Sequence, residues 1–157
     1  VLARFAPQVS EVIISANRNL DRYAGFGHAV VTDAVAGFAG PLAGLHAALE
    51  RARYDLVCTV PCDSPLLPLD LVVRLRTALE QSEAELAVAC AAGRLHPVFL
   101  LCRRSLREDL GSHLAAGERK VEAWHRHLHR VEVSFDDTPE AFRNINAPED
   151  LAALRQR

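Results

Sequence analysis

Apolar residues fall into two rhythms along this chain: short β-branched or unbroken runs, and longer stretches with a 3.6-residue period. The runs predict strands at residues 11–15 (Glu-Val-Ile-Ile-Ser), 28–32, 55–60, 85–90, 96–102 and 131–135. The periodic stretches predict helices between them. An amphipathic helix end opens the chain and breaks at Pro7, and Pro41 starts a helix with Leu42, Leu45, Leu49 and Ala52 on one face. Pro68 opens another, for which Leu69, Val72, Val73 and Leu79 are the expected inner face. Leu106, Leu110 and Leu114 mark a further helix, a short one runs through Val121 to Trp124, and a last spans 148–154. Residues 16–20 read as a polar turn and 34–40 as a small-residue loop.

Strands alternating with helices at short spacing predict one α/β domain over 1–157, a Rossmann-like three-layer αβα sandwich with a mostly parallel sheet. The strand-turn-strand at Gly93 and the alternating run at 131–135 are the expected antiparallel addition. The central stretch is Asp55-Leu-Val-Cys-Thr-Val-Pro-Cys-Asp-Ser-Pro65. Its apolar half suits a strand buried on both faces, and Pro61 and Pro65 end the ladder. Asp63 is thereby delivered to the carboxyl end of a central strand, the edge where open α/β sheets bind ligands. A carboxylate there is read as a holder of Mg²⁺ against nucleotide phosphates.

Composition narrows the picture. Half of the residues are hydrophobic, 24% are charged and the net charge is −2, so no nucleic-acid footprint is expected. No apolar run of membrane-spanning length and no signal peptide are visible, which places the expected protein in the cytoplasm. Cys58, Cys62, Cys90 and Cys102 lie in apolar stretches and read as buried thiols. The chain has no Met and opens inside a helical pattern, from which a missing N-terminal segment is expected.

Four polar positions fall just past strands: Asn17, Asp33, Asp63 and the pair Asn144/Asn146. In a doubly wound sheet they converge on one rim, although either Asp alone also suits a turn or helix cap. Gly40-Pro-Leu-Ala-Gly44 opens a helix with glycines that let a ligand approach, or simply pack a loop junction. Asn146 with Glu149 makes a capping box, which leaves Asn144 with no structural task. Arg119 and Lys120 after Gly117 suit an anion or a solvated helix start, and His96 before Pro97 suits a hydrogen-bonded packing role. His125, His127 and His129 lack a partnering carboxylate at metal-site spacing. The chain carries no GxxxxGK[ST], GxGxxG or Ser-His-Asp elbow, which argues against P-loop NTPases and common dehydrogenases.

Together, Ser15-Ala-Asn-Arg18, Asp33, Gly40-Pro-Leu-Ala-Gly44, Pro61-Cys-Asp-Ser-Pro65, His96-Pro97, Gly117-Glu-Arg-Lys120 and Asn144-Ile-Asn-Ala-Pro148 resemble the molybdenum cofactor guanylyltransferases, members of the nucleotide-diphospho-sugar-transferase-like superfamily. The resemblance implies transfer of GMP from GTP, with Mg²⁺, to molybdopterin, giving molybdopterin guanine dinucleotide and pyrophosphate. It implies nucleotide contacts for Asn17, Asp33, Gly40 and Gly44, and metal and phosphate binding by Asp63. Arg119, Lys120, Asn144 and Asn146 are implied on the molybdopterin side, and molybdoenzyme chaperones are implied as further partners. The family's opening strand, its Gly-Gly loop and the following Arg-Met-Gly and Lys have no counterpart here, so one strand and its phosphate loop are expected to be missing. Two alternatives stay open: a cytidylyltransferase on the same cofactor, and a catalytically dead molybdopterin-binding module.

Overall fold

In the computed structural model, which describes residues 1–33 and 40–145, the two rhythms become six strands and six α-helices. The strands are β1 (Ile13–Ser15), β2 (Ala29–Val31), β3 (Leu56–Thr59), β4 (Leu86–Ala91), β5 (Arg94–Arg103) and β6 (Arg130–Ser134). The helices are α1 (Leu2–Phe5), α2 (Leu20–Ala24), α3 (Pro41–Arg51), α4 (Leu71–Gln81), α5 (Arg107–Ala115) and α6 (Val121–His125). Asn146, the expected helix at 148–154 and most of the loop at 34–40 lie outside the described residues.

The expectation of a mostly parallel sheet is corrected. β1 and β2 pair in parallel as a two-stranded sheet, while the other four strands form a mixed sheet in the order β3-β5-β4-β6. Within it only β4 and β6 are parallel; β5 runs antiparallel to both β3 and β4. The cause is a two-residue hairpin. Ala91 pairs with Arg94, and both Ala92 and Gly93 take positive φ (50° and 69°), the backbone of a primed turn that matches strand twist. Asp136 accepts the Ala92 N–H at 2.7 Å and pins that turn. A strand returning so tightly must be antiparallel.

β5 also carries an irregularity that serves its proline. Val88 faces Leu100 and Ala89 faces His96, so Pro97, Val98 and Phe99 bulge out of the ladder. Pro97 has no N–H to give, and a bulge is where a sheet tolerates that.

Alternation along β4 divides the interior into two cores. Leu86 and Val88 join Leu42, Leu45 and Leu49 of α3, Leu110 and Leu114 of α5, and Trp124 of α6. Ala87 and Ala89 face the other way, toward Leu71, Leu75 and Leu79 of α4 with Phe99, Phe135 and Phe142. The inner face expected for α4 is thus corrected to a spacing of four through 71, 75 and 79. Leu69 precedes the helix and is 66% exposed, and Val73 lies on the outer face at 59%. Leu20, the last residue of the expected polar turn, instead opens α2. Cys62 is exposed, against the expectation of a buried thiol, because it follows the strand rather than lying in it. Burial pushes the Cys102 thiol up to about 12, and that of Cys58 higher still. Among the described residues no helix is long and apolar enough to cross a membrane.

Candidate functional site

The carboxyl ends of β1, β2 and β3 carry the polar residues singled out above. Asn17 stands two residues past β1 and Asp33 two past β2, and parallel pairing of those strands makes them neighbours. The Asn17 side-chain amide donates to Asp33 Oδ2 at 2.7 Å, and its Oδ1 accepts the Asp33 backbone N–H at 3.0 Å. Two bonds of opposite sense fix the amide's orientation. Asn17 is exposed and Asp33 half-buried at that rim.

Asp63 sits four residues past β3, between the prolines. Its backbone carbonyl accepts from Ile145 N–H at 2.7 Å, while Ser64, fully buried, donates its hydroxyl to Asn144 Oδ1 at 3.0 Å. Asn144, which had no structural task in the sequence, therefore clamps the loop that carries Asp63. The Asp63 side chain is different. Its Oδ1 is buried and has no hydrogen-bond partner among the described residues. A carboxylate oxygen removed from water without a partner is costly, so such atoms mark sites completed by something else. A cation is the chemical complement of that atom. The described residues contain no group of three or more His, Cys, Asp or Glu arranged to hold a metal by themselves. Magnesium does not need one: it is commonly held by one or two carboxylates plus substrate phosphates.

Gly40 precedes α3 at φ 148°, and Pro41 occupies the helix's first turn. Gly44 has a steric task. A Cβ there would lie 2.6 Å from Ser15 Oγ, so the glycine lets α3 press against the end of β1. Gly44 thus sits against the strand end two residues before Asn17. Arg119 and Lys120 are exposed on the turn between α5 and α6, following Gly117, whose φ of 84° ends α5. That turn is a separate segment from the strand-end loops, and α6 behind it packs on β5.

His96 takes the packing role its place before Pro97 suits, while Ser64 carries a contact that its sequence setting does not mark. His96 is stacked on Phe142 with ring centroids 4.6 Å apart, and its ring bonds the Ala91 backbone. Burial first, and the Arg94 charge second, hold its pKa below the usual histidine range. Ser64 lay inside the Pro-Cys-Asp-Ser-Pro run without an assigned role, and nothing local announces its partner 80 residues away. His125 belongs to α6 and is buried, so the three alternate histidines do not share a strand face.

Residues 1–131 match the sequence profile described as the MobA-like NTP transferase domain. The chain is 50% identical over 151 residues to the molybdenum cofactor guanylyltransferase of Shewanella sp. (strain W3-18-1), a match covering 96% of this chain and 77% of that protein. It is 49% identical to the enzyme of the same name from Burkholderia ambifaria (strain MC40-6), covering 100% of this chain and 80% of the relative. Among solved structures, molybdopterin-guanine dinucleotide biosynthesis protein A from Archaeoglobus fulgidus superposes with a TM-score of 0.78 at 19% identity, covering 99% of this chain and 81% of that one. A glucosyl-3-phosphoglycerate synthase from Mycobacterium tuberculosis, solved with Mn²⁺ and uridine-diphosphate-glucose, shares the fold at a TM-score of 0.60 and 16% identity, over 97% of this chain and 68% of that one. On these matches the chain belongs to the MobA-like NTP transferase family, among its molybdenum cofactor guanylyltransferases.

Proposed function

We propose that this protein transfers GMP from GTP to molybdopterin, forming molybdopterin guanine dinucleotide and releasing pyrophosphate. The observation that carries the reading within the structure is the buried Oδ1 of Asp63 at the carboxyl end of β3, which has no hydrogen-bond partner among the described residues. In the reaction a phosphate oxygen of molybdopterin attacks the α-phosphorus of GTP. The α–β bridging bond breaks, and its electron pair leaves with pyrophosphate. Such transfers are accelerated mainly by positioning and by neutralising charge on the phosphates. Asp63, together with the triphosphate, would hold Mg²⁺, which would supply part of that neutralisation.

The protein's own residues divide the remaining work. The Asn17–Asp33 pair, oriented by its two hydrogen bonds, contacts the guanine nucleotide. Gly40 and Gly44 keep the start of α3 free of side chains beside it. Asn144, through Ser64, fixes the height of the Asp63 loop and faces the molybdopterin side. Arg119, Lys120 and Asn146 are assigned to that side on the family pattern, with the two cations suited to its phosphate. The proposed setting is the cytoplasm, with a molybdoenzyme chaperone as the recipient of the product.

Titration calorimetry and single-substrate turnover test the reading. GTP with Mg²⁺ is expected to bind at least about tenfold more tightly than CTP, a difference of roughly 1.4 kcal/mol, and Asp63→Asn is expected to abolish the Mg²⁺ dependence of GTP binding. A preference for CTP would make the protein a cytidylyltransferase. Molybdopterin binding with no nucleotide affinity would make it a binding module.

A further inference from the structure

Asp63 reaches its rim on β3, but a second support holds it from the side. Ile145 N–H donates to the Asp63 carbonyl at 2.7 Å, and Asn144 accepts the Ser64 hydroxyl at 3.0 Å. These two bonds fix the loop only as well as residues 143–145 are themselves fixed. The three lie in no strand or helix and follow the single 3₁₀ turn Pro139–Phe142. Phe142, 5% exposed, is the last buried side chain before them, so its packing decides where they stand.

Three rings from the sheet and its margin pack on Phe142. Phe135 and Phe99 meet it edge-on, with centroids 5.2 and 4.8 Å away, and both are buried in the core. His96 is different. It is half-buried, lies stacked on Phe142 at 4.6 Å and 28°, and has its ring plane set by the bond to the Ala91 backbone. Its main chain is set as well. Thr59 pairs with Leu100 in antiparallel register, so residues 96–99 run past the end of β3, level with the loop that carries Asp63. Thr59 Oγ1 donates to the Val98 carbonyl at 2.6 Å, which pins the bulge to β3 itself. β3 therefore supports Asp63 twice. One route runs along the chain, and the other runs through the bulge, the His96 ring, Phe142 and the two bonds from 144–145.

We propose that His96 is a positioning residue for the transfer reaction: its ring, stacked on Phe142, holds residues 143–145 where they set the Asp63 carboxylate. The inference rests on the reading of Asp63 as the carboxylate that would hold Mg²⁺. His96 touches no reacting atom in this scheme, and its effect passes through Phe142. A stacked ring pair shifts a local equilibrium by about two- to tenfold, which sets the size of the effect. The effect also has a direction. The guanine nucleotide is assigned to the Asn17–Asp33 pair on the other sheet, so loss of the stack weakens metal binding and turnover and spares nucleotide binding without metal.

The test compares His96→Ala, which removes the ring, with His96→Phe, which keeps the stack and loses only the bond to Ala91. The first readout is hydrogen exchange at the Ile145 amide, whose partner is the Asp63 carbonyl. His96→Ala should speed it about fivefold, and His96→Phe should return it to within about twofold of the parent. The second is Mn²⁺ affinity in the presence of GTP, followed by electron paramagnetic resonance, together with kcat. Both should fall about fivefold in His96→Ala and recover in His96→Phe, while metal-free GTP binding stays unchanged in each. Leu110→Ala, which hollows the other core, should lower the urea midpoint and leave Mn²⁺ affinity alone. An unchanged Ile145 amide in His96→Ala overturns the proposal whatever the metal does. So does a loss that His96→Phe fails to restore, or one that Leu110→Ala reproduces. Mn²⁺ affinity left intact in His96→Ala overturns it too, and Asp63→Asn then shows at which step. If Asp63→Asn also keeps the metal, the assignment of Asp63 has failed; if it loses the metal, only the role of His96 has.

Discussion

The four-stranded sheet and the β1–β2 pair are built to different standards. Leu86, Ala87, Val88 and Ala89 of β4 are fully buried between the two cores, whereas Ile13 and Ile14 of β1 are half-buried and Ser15 is exposed. Two-stranded sheets are marginal on their own, and this one leans on α3, which contacts β1, β2 and β3. The candidate site takes one half from each: Asp63 and Asn144 from the well-packed sheet, Asn17 and Asp33 from the weak one. The difference teaches that holding Asp63 in place and holding the Asn17–Asp33 pair in place are separate problems. The first is solved by core packing and a side-chain clamp, the second by the contact of α3 with β1.

The sharpest way to break the comparison is to hollow the large sheet. Trp124 is fully buried in the α3–α5–α6 core, and its indole N–H donates to Asp109 at 2.7 Å. Trp124→Ala should lower unfolding free energy by about 3–5 kcal/mol in urea titrations, the usual cost of emptying so large a site. A loss below about 1 kcal/mol would mean that this core does not carry the fold.

Next in size is Asp63→Asn, expected to cut GMP transfer by about 10²–10³, in the range seen when one electrostatic stabiliser is removed. The urea midpoint should stay close to that of the parent, because the buried Oδ1 of Asp63 makes no hydrogen bond to any described residue. An equal fall in activity and midpoint would reassign Asp63 to structure.

The large sheet also carries a pH signature. His125 is buried with neither ring nitrogen hydrogen-bonded to described residues, and burial lowers its pKa to about 4 from an ordinary 6.5, with the Arg130 charge adding to the shift. Between those values the unfolded chain takes up a proton that the fold refuses. Stability is therefore whole above pH 6.5, falls as pH drops toward 4, and falls no further on this account below that. The loss amounts to no more than about 3 kcal/mol. His125→Leu should flatten this part of the stability–pH curve; an unchanged slope would assign it to other groups.

These expectations trace what the residue pattern made legible. The run before Pro61 placed Asp63 at a strand's carboxyl end because an unbroken apolar stretch stopped by prolines has few other solutions. Leu106, Leu110 and Leu114 are all buried, as their spacing required. Strand direction was less legible. The turn at Gly93 did announce the antiparallel β4–β5 hairpin, whereas the alternating run at 131–135, expected to join it as an antiparallel addition, pairs parallel to β4. The α4 face was misphased because Leu69 and Val73 are apolar yet exposed, and apolar residues on a surface carry no mark of it. The Ser64–Asn144 clamp was invisible for another reason: its partners are 80 residues apart, and each looks like ordinary loop polarity.

The smallest expected effect tests the joint between the two regions. A Cβ on Gly44 would stand 2.6 Å from Ser15 Oγ and 3.2 Å from its Cβ, with nothing else that close from elsewhere among the described residues. Gly44 is helical, so alanine would otherwise favour it, by about 1 kcal/mol in helix propensity. The clash sets against this an overpacking cost of about 1–3 kcal/mol. Gly44→Ala should therefore destabilise the protein modestly or be nearly neutral, and the cost should fall on one side only. Hydrogen exchange should rise in β1 and β2 while β4 and β5 stay protected, and GTP binding should weaken as the Asn17–Asp33 pair is displaced. Ser15→Ala in the same chain removes the nearer atom and should recover part of both losses. Recovery of stability without recovery of binding would show that the β1–β2 pair sets the nucleotide contacts through Ser15 itself, rather than through the fit of α3 against the strand.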